Sequence, residues 1–274
     1  MTTEAVFRQP ETDIIIPCHH AADTLERAVS SALRQSEARH IWLVDDGSRD
    51  HTWLVIQYLA AQSPRIRAER LPENGGVARA RNWGALQSNA DIIAFLDADD
   101  EYQDGALAAA CFAFQHLPHL GLIRLRLQAV GLPQRYAEHP KLPEAWRTLQ
   151  MTVGGNTVFR RRFFLACGGF PQDALFRTFG GEDGALGIAT VQNSVVGTLF
   201  DDGEPAVLHH CREGMHAQRL LDAHLFNRHD PRITAEQMAQ AEAVTAAIGA
   251  GLQELRRVLN AEQCGSTPLT VSRA

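Results

Sequence analysis

The sequence predicts an α/β fold in which a mostly parallel central sheet is flanked by helices. Three observations carry this expectation. Short runs of consecutive apolar, largely β-branched residues, as in "DIIIPCHH" (13–20) and "DIIAFLDADD" (91–100), match strands buried on both faces. The segments between such runs place apolar residues at helical spacing. The two kinds of segment alternate, and a β-α-β-α-β-α-β rhythm implies parallel strands joined by right-handed crossovers.

Taken in order, "DIIIPCHH" is a buried strand stopped by Pro17. A helix follows over 22–36, begun by Asp23 or Thr24 as N-cap, with Leu25, Ala28, Val29, Ala32 and Leu33 on one face. "HIWLVDDGS" (40–48) is a second strand ending in acids and a Gly turn. A helix at about 50–62, a short strand at 65–71, a helix begun at 75–88 and the strand "DIIAFLDADD" complete the first half. The pattern then loosens, with a helix at 104–116, an apolar stretch at 121–130 and a polar, Pro-rich segment at 131–146 that reads as a loop. "GGNTVFRRRFFLACGGF" (154–170) resumes as strand then helix, with Arg160, Arg161 and Arg162 at a solvated helix start. "FGGEDGALGIATV" (179–191) is a turn into a helix, and 194–211 holds one or two strands. Residues 234–259 form a long amphipathic helix opened by a Thr234–Gln237 capping box.

The bulk properties narrow the function classes. A chain of 274 residues suits one large α/β domain or a domain with an appendage. A net charge of −6 argues against a general nucleic-acid or anionic-membrane binder, which needs a basic face. Lys141 is the only lysine, so lysine-dependent chemistry is nearly excluded, and a Walker-type phosphate loop cannot be written. Five scattered cysteines without CxxC spacing suggest neither a disulfide framework nor a zinc ribbon and point to a reducing compartment. The N-terminus lacks a signal pattern, and the longest apolar run, 106–114, is too short to span a bilayer. The expectation is a soluble cytoplasmic protein.

Two strands end in acids, "VDDGS" and "LDADD", and strand ends of an open α/β sheet form its ligand-binding edge. A single Asp per turn needs no further reason, since its carboxylate bonds nearby backbone N–H groups. A cluster raises its members' pKa values and is tolerated mainly beside a cation or a hydrogen-bonding ligand. Mg²⁺ or Mn²⁺ prefers one or two carboxylates plus water and phosphate oxygens, and Asp97 and Asp99 are spaced to reach one such ion.

The motifs "DIIIPCHHAADTLERAVSSALRQ", "LVDDGSRDHT", "NGGVARARNWG", "IIAFLDADD" and "GGEDGAL", in this order, resemble those of the family 2 inverting glycosyltransferases over roughly residues 12–215. The resemblance implies the GT-A fold, a Rossmann-like, mostly parallel central sheet flanked by helices. It implies a GT-A domain over 1–220, with a nucleotide-binding half at about 12–102 and an acceptor-binding half at about 103–220. Residues 221–274 are then a C-terminal helical extension.

By position, the resemblance assigns Pro17 and His19 to the flanks of the base, Asp46 to the uracil or ribose, and Arg81 to the diphosphate or its neighbourhood. His19 stands where the family often has Tyr. Asp99 is the principal metal-binding carboxylate, and Asp97 contacts the ribose or reaches the metal through water. Asp100 and Glu101 cap the next helix. Asp183 is the base that deprotonates the acceptor, and Glu182 binds acceptor hydroxyls or orients the loop. A late His that completes the metal site falls in "VLHHCREGMH", where His210 is favoured beside His209 and Arg212. Gly155 and Asn156 lie near the donor sugar. The implied cofactor is divalent, Mn²⁺ or Mg²⁺, and the implied donor is a nucleotide sugar, a UDP-sugar before others.

The acceptor stays open among a glycan, a lipid-linked intermediate, a peptide and a small molecule, and no nucleic acid is implied. The last helix can pack on the domain, pair two copies into a homodimer, or dock on a membrane enzyme. A pyrophosphorylase fits less well, because "PCHHAADT" lacks the Gly-rich basic loop such enzymes begin with. A binding module without turnover is the other alternative, and the joint presence of Asp99 and Asp183 argues against it.

Overall fold

Ile14, Ile15 and Ile16 have no exposed surface, and each such side chain contributes roughly 1.5–3 kcal/mol on burial. They form the centre of strand β1 (Thr12–Cys18). The computed structural model describes residues 10–212, 214–259 and 264–271. After β1 come α1 (Leu25–Leu33), β2 (Ala38–Asp45), α2 (Thr52–Gln62), β3 (Ile66–Arg70), α3 (Val77–Gln87) and β4 (Ile92–Phe95). The second half continues with β5 (Glu101–Tyr102), α4 (Ala106–His116), β6 (Leu122–Val130), α5 (Gln134–Ala137), α6 (Leu142–Thr152), β7 (Thr157–Arg160) and α7 (Arg161–Ala166). The remaining elements are α8 (Ala174–Phe179), α9 (Glu182–Asn193), β8 (Val195–Leu199), β9 (Ala206–His210), α10 (His216–Phe226), α11 (Ala235–Leu259) and β10 (Gly265–Pro268).

The strands form one mixed sheet in the order β10-β8-β6-β7-β4-β1-β2-β3, with β9 joining β6 and β5. All neighbouring pairs on the main path are parallel except those that involve β7. Side chains of a strand alternate between faces, so β1 supplies two cores. Ile14 and Ile16 share one with Leu25, Val29 and Ala32 of α1. Ile15 belongs to the other, with Phe95, Phe159, Phe164 and Phe170.

The register positions the site. Cys18 pairs with Asp45 and Ile15 with Phe95, so Asp46 and Asp97 emerge together where β2 and β4 end. Asp46 N–H donates to Cys18 O at 2.8 Å, and Leu96 N–H to Ile15 O at 3.1 Å. The sheet edge expected to bind ligands is therefore built by backbone pairing.

Several local expectations are corrected. Residues 131–146 are no loop: Pro133 and Pro143 stand at or just inside helix starts, where a missing N–H is tolerated, and α5 and α6 result. Asp100 and Glu101 do not cap α4, which begins after Gly105 without a side-chain cap; Glu101 lies in β5 instead. Arg160 and Arg161 are not solvated. Arg160 donates to Leu120 O and Phe114 O, and Arg161 to Ala85 O, because the Phe114 and Ala85 carbonyls, in the last turns of α4 and α3, have no partner within their helices; Arg162 is exposed, as expected. The capping box at Thr234 forms in both directions. The C-terminal segment is not purely helical, since β10 pairs in parallel with β8. Among the described residues, no helix is long and apolar enough to cross a membrane.

Candidate active site

One cleft of about 480 Å³ gathers most of the residues assigned above, though not Gly155 or Asn156. Pro17, His19 and Asp46 come from the ends of β1 and β2. Arg81, Asp97 and Asp99 come from α3 and the loop after β4. Glu182, Asp183 and His210 come from α9 and the end of β9. Residues more than 190 positions apart thus meet at one sheet edge.

Asp46 is buried, at 2% exposure. Its two carboxylate oxygens accept Gly75 N–H at 2.9 Å and Gly76 N–H at 2.8 Å. The group that the resemblance assigns to the nucleoside therefore also clamps the loop before α3. Burial pushes its pKa up, and the two N–H donors only partly oppose this. His19 and His20 stack at 4.0 Å, and His19 Nε2 lies 2.7 Å from Asn74 Nδ2. A second cavity of about 730 Å³ opens past them, lined among others by His20, Ser48, Arg49 and Arg70.

Arg81 is the hub of the cleft. It is 3% exposed, with Nη2 2.6 Å from Asp97 Oδ1 and Nη1 3.5 Å from Glu182 Oε1. Its guanidinium stands 5.0 Å over the Phe170 ring, at a spacing suited to cation–π attraction. The residue assigned to the diphosphate is here the counterion of two acids. Gly154 and Gly155 fit against this pair because they have no side chains. A Cβ on Gly154 would fall 2.6 Å from Arg81 Nη1, and one on Gly155 2.7 Å from Asp97 Oδ2.

The turn before α9 needs Gly181 at φ +99°, a conformation L residues rarely adopt. It delivers Glu182 and Asp183 into the first turn of the helix. Asp183 Oδ2 accepts Gly154 N–H at 3.0 Å, and Oδ1 accepts Gly184 N–H at 2.9 Å. Burial raises the pKa of Asp183, with Arg81 pulling the other way. Burial also pushes Glu182 up, to about 7, with the neighbouring Asp183 adding to the rise. A carboxyl in this state can take up a proton near neutrality.

The other three acids of "LDADDE" divide differently from expectation. Asp99 Oδ2 lies 2.8 Å from Arg212 Nη2. Asp100 is fully buried; one oxygen faces His209 Nδ1 at 2.8 Å and the other accepts His210 N–H at 3.0 Å. Glu101 Oε1 lies 2.8 Å from His210 Nε2 and 3.3 Å from Arg27 Nε. Both acids thus fasten the end of β9 to the "LDADD" loop. Burial alone would lower the His209 pKa, but the Asp100 carboxylate outweighs it and raises the value. His209 Nε2 is buried without a hydrogen-bond partner.

Among the described residues, no three His, Cys, Asp or Glu side chains stand close enough to hold a metal ion by themselves. The donor set still fits a hard divalent ion that takes one or two carboxylates and completes its shell from water and phosphate oxygens. Asp99 and His209 both line the cleft; the Asp100 carboxylate holds His209 Nδ1, and His209 Nε2 is buried without a hydrogen-bond partner. His210, by contrast, has Nε2 engaged by Glu101.

Asn156, expected near the donor sugar, is a fastener. It is wholly buried, and its Nδ2 donates to Leu125 O and Gln150 O. Sequence reasoning missed Arg177, which lines the cleft with its stem against Gly76; a lone Arg in a six-residue helix carries no signal. It also missed Phe170, whose only hint is the "GGF" that ends a motif.

A family model described as "Glycosyl transferase family 2" matches residues 13–168. Succinoglycan biosynthesis protein ExoU of Rhizobium meliloti (strain 1021) is 42% identical over 94 residues, 34% of this chain and 28% of that protein. Succinoglycan biosynthesis protein ExoO of the same organism is 30% identical over 167 residues, 58% of this chain and 47% of that protein. The matches span less than half the length of either relative. Among solved structures, S. aureus TarS residues 1–349 in complex with UDP-GlcNAc superposes with a TM-score of 0.63 at 18% identity, over 92% of this chain and 73% of that one. Mannosyltransferase PcManGT from Pyrobaculum calidifontis, in complex with GDP-Man and Mn²⁺, gives 0.60 at 17% identity, over 94% and 77%. At these identities the likeness concerns the fold, which is GT-A.

Proposed function

The chain belongs to glycosyl transferase family 2, and from that premise we propose that it moves a sugar from a nucleoside-diphosphate donor, a UDP-sugar before others, to an acceptor heteroatom with inversion. The observation that carries the proposal is the convergence of Asp46, Asp97 and Asp99 with the Glu182–Asp183 pair around buried Arg81 in one cleft.

In this reading Pro17, His19 and Asp46 hold the nucleoside. Asp97 contacts the ribose, or reaches the metal through water, while Arg81 holds its carboxylate in place. Asp99 is the carboxylate that would hold Mn²⁺ or Mg²⁺, with the buried Nε2 of His209 better placed to assist than His210. When bound, the ion supplies Lewis-acid stabilisation of the charge that grows on the departing diphosphate. Asp183 takes the acceptor's proton as its heteroatom forms the new bond to the anomeric carbon. The bond from that carbon to the diphosphate oxygen breaks on the opposite face, and the nucleoside diphosphate leaves with the electron pair. Glu182 orients Asp183 and Arg81 or meets an acceptor hydroxyl. The acceptor class stays as broad as stated above, and pairing of two copies through α11 belongs to the same reading. All five cysteines are unpaired, in keeping with a reaction on the cytoplasmic side.

A thermal-shift screen of UDP-, GDP- and dTDP-sugars with and without Mn²⁺ tests the proposal. A UDP-sugar should raise the midpoint, and more so with Mn²⁺. If no nucleotide sugar stabilises the protein, the transferase reading fails.

A further inference from the structure

Behind the cleft stands a charge that no motif announced. Arg124, in β6, is 2% exposed and makes no ion pair with a carboxylate among the described residues. Its Nη1 donates to Val153 O at 2.9 Å, and to Gln150 O and Asn156 Oδ1 at 3.3 Å each. Its Nε is buried without a partner. Burying a cation without a counterion is costly, and an apolar residue would fill a strand interior at no such penalty. Something other than packing must therefore favour arginine here.

The three acceptors all belong to residues 150–156, the end of α6 and the loop into β7. The same loop carries Gly154, whose N–H holds Asp183 Oδ2, and Gly155, which lies against Asp97. A second contact closes the arrangement. Gly187 follows Asp183 by four residues on α9, so both occupy one helix face. A Cβ on Gly187 would fall 2.8 Å from Arg124 Nη2 and 2.9 Å from Met151 O. The helix that carries Asp183 is bare one turn later, where Arg124 passes. Burial lowers the Arg124 pKa to about 10, and the negative charge of Asp183 partly opposes the fall.

We propose that Arg124 is a positioning residue for Asp183: it ties the 150–156 loop under α9, so that Gly154 N–H holds the Asp183 carboxylate in a single orientation toward the acceptor. The inference rests on Asp183 being the base. Asp46 and Asp99 have other partners, Gly75 and Gly76 N–H for the first and Arg212 for the second.

The test uses Arg124→Met, Arg124→Lys and Gly187→Ala in the full chain. Amide hydrogen exchange at Gly154 should accelerate at least tenfold in Arg124→Met and Gly187→Ala, while Gly75 and Gly76, bonded to Asp46, keep their protection. In a transfer assay kcat should fall at least tenfold, with the donor KM and the UDP dissociation constant within about twofold of the unsubstituted protein. Arg124→Lys should recover part of kcat, because an ammonium can still meet one or two of the carbonyls. Unchanged protection at Gly154 overturns the inference whether or not turnover is detected, as does a parallel loss of kcat and nucleotide affinity. If Arg124→Met does not fold, Arg124→Gln, which keeps a donor for one of the three acceptors, takes its place, because Gly187→Ala also presses on Met151 O. Absence of transfer by the unsubstituted chain from any donor would instead remove the base reading, and the exchange data still show whether Arg124 holds the loop.

Discussion

Arg81 Nη2 lies 2.6 Å from Asp97 Oδ1 at a point where the Arg81 side chain is 4% exposed, so the first aspartate of "LDADD" is neutralised by protein. A buried pair of this kind is worth little against an apolar substitute of the same shape, but removing one partner strands the other's charge. Arg81→Met should lower the unfolding free energy by about 3–5 kcal/mol, read by urea denaturation. The double variant Arg81→Met/Asp97→Asn should recover much of that loss. If the single variant is as stable as the parent, the hub assigned to Arg81 is wrong.

Asp183→Asn keeps the shape of the side chain and one acceptor oxygen for Gly154 N–H, gives up the one that meets Gly184 N–H, and cannot take a proton. Its kcat should drop by roughly 10²–10⁴, while UDP binding measured by calorimetry stays within about twofold. Loss of nucleotide affinity in this variant would show that Asp183 holds the donor instead.

Glu182 carries a pH signature. Its pKa is raised from an ordinary 4.5 to about 7 by burial, so the folded chain binds a proton that the unfolded chain releases between those values. Its contribution to stability is therefore complete below about pH 4.5 and gone above about pH 7. Stability should decline as pH rises through this window. The Glu182 share is on the order of 3 kcal/mol at most. Glu182→Gln should flatten the profile and be the more stable protein at pH 8. Urea denaturation at pH 5, 6, 7 and 8 measures it, and parallel profiles for the two proteins would refute the assignment.

The two adjacent histidines are separable. His209→Ala removes a buried nitrogen that has no hydrogen-bond partner, whereas His210→Ala removes a ring already engaged by Glu101. Mn²⁺ affinity in the presence of UDP, followed by electron paramagnetic resonance, should fall about tenfold or more for His209→Ala, the scale seen on perturbing a metal's surroundings. His210→Ala should leave it nearly unchanged, and the reverse order would restore His210 as the metal-side residue.

Gly155→Ala places a methyl group 2.7 Å from Asp97 Oδ2. Because Asp97 is held by Arg81, it has little freedom to yield, and overpacking of this kind costs about 1–3 kcal/mol. A lower thermal midpoint and a weaker nucleotide affinity are expected together. A variant with unaltered affinity would mean that Asp97 does not touch the donor.

Much of the first half was legible because its signals are local. The run "DIIIP" reads as a buried strand since no polar side chain interrupts it, and "VDDGS" and "LDADD" read as strand ends since acids and turn residues follow apolar runs. The same locality misled at Asp100 and Glu101. An acidic pair ahead of a helical segment looks like a cap in one dimension, but α4 starts later, and β9 brings His209 and His210 to these acids from 109 residues away. The segment 131–146 misled in the same manner: its prolines read as loop punctuation until the helices they open are packed.

By itself, the sequence determined the α/β class and the strand ends that carry acids, because 3.6- or 2-residue periodicity follows from near neighbours along the chain; the residues that line one cleft were indicated by the resemblance of the ordered motifs. The tertiary structure alone decided which charge meets which. Arg81, assigned by resemblance to the diphosphate or its neighbourhood, is paired with Asp97 and Glu182; Asn156, expected near the donor sugar, fastens Leu125 and Gln150; and Arg124, unremarked in its strand, is a buried cation whose partners are backbone carbonyls and an amide. Such pairings depend on distances of a few ångströms between segments remote in sequence, and on desolvation that exists only once the core has closed; neither quantity is written in local order.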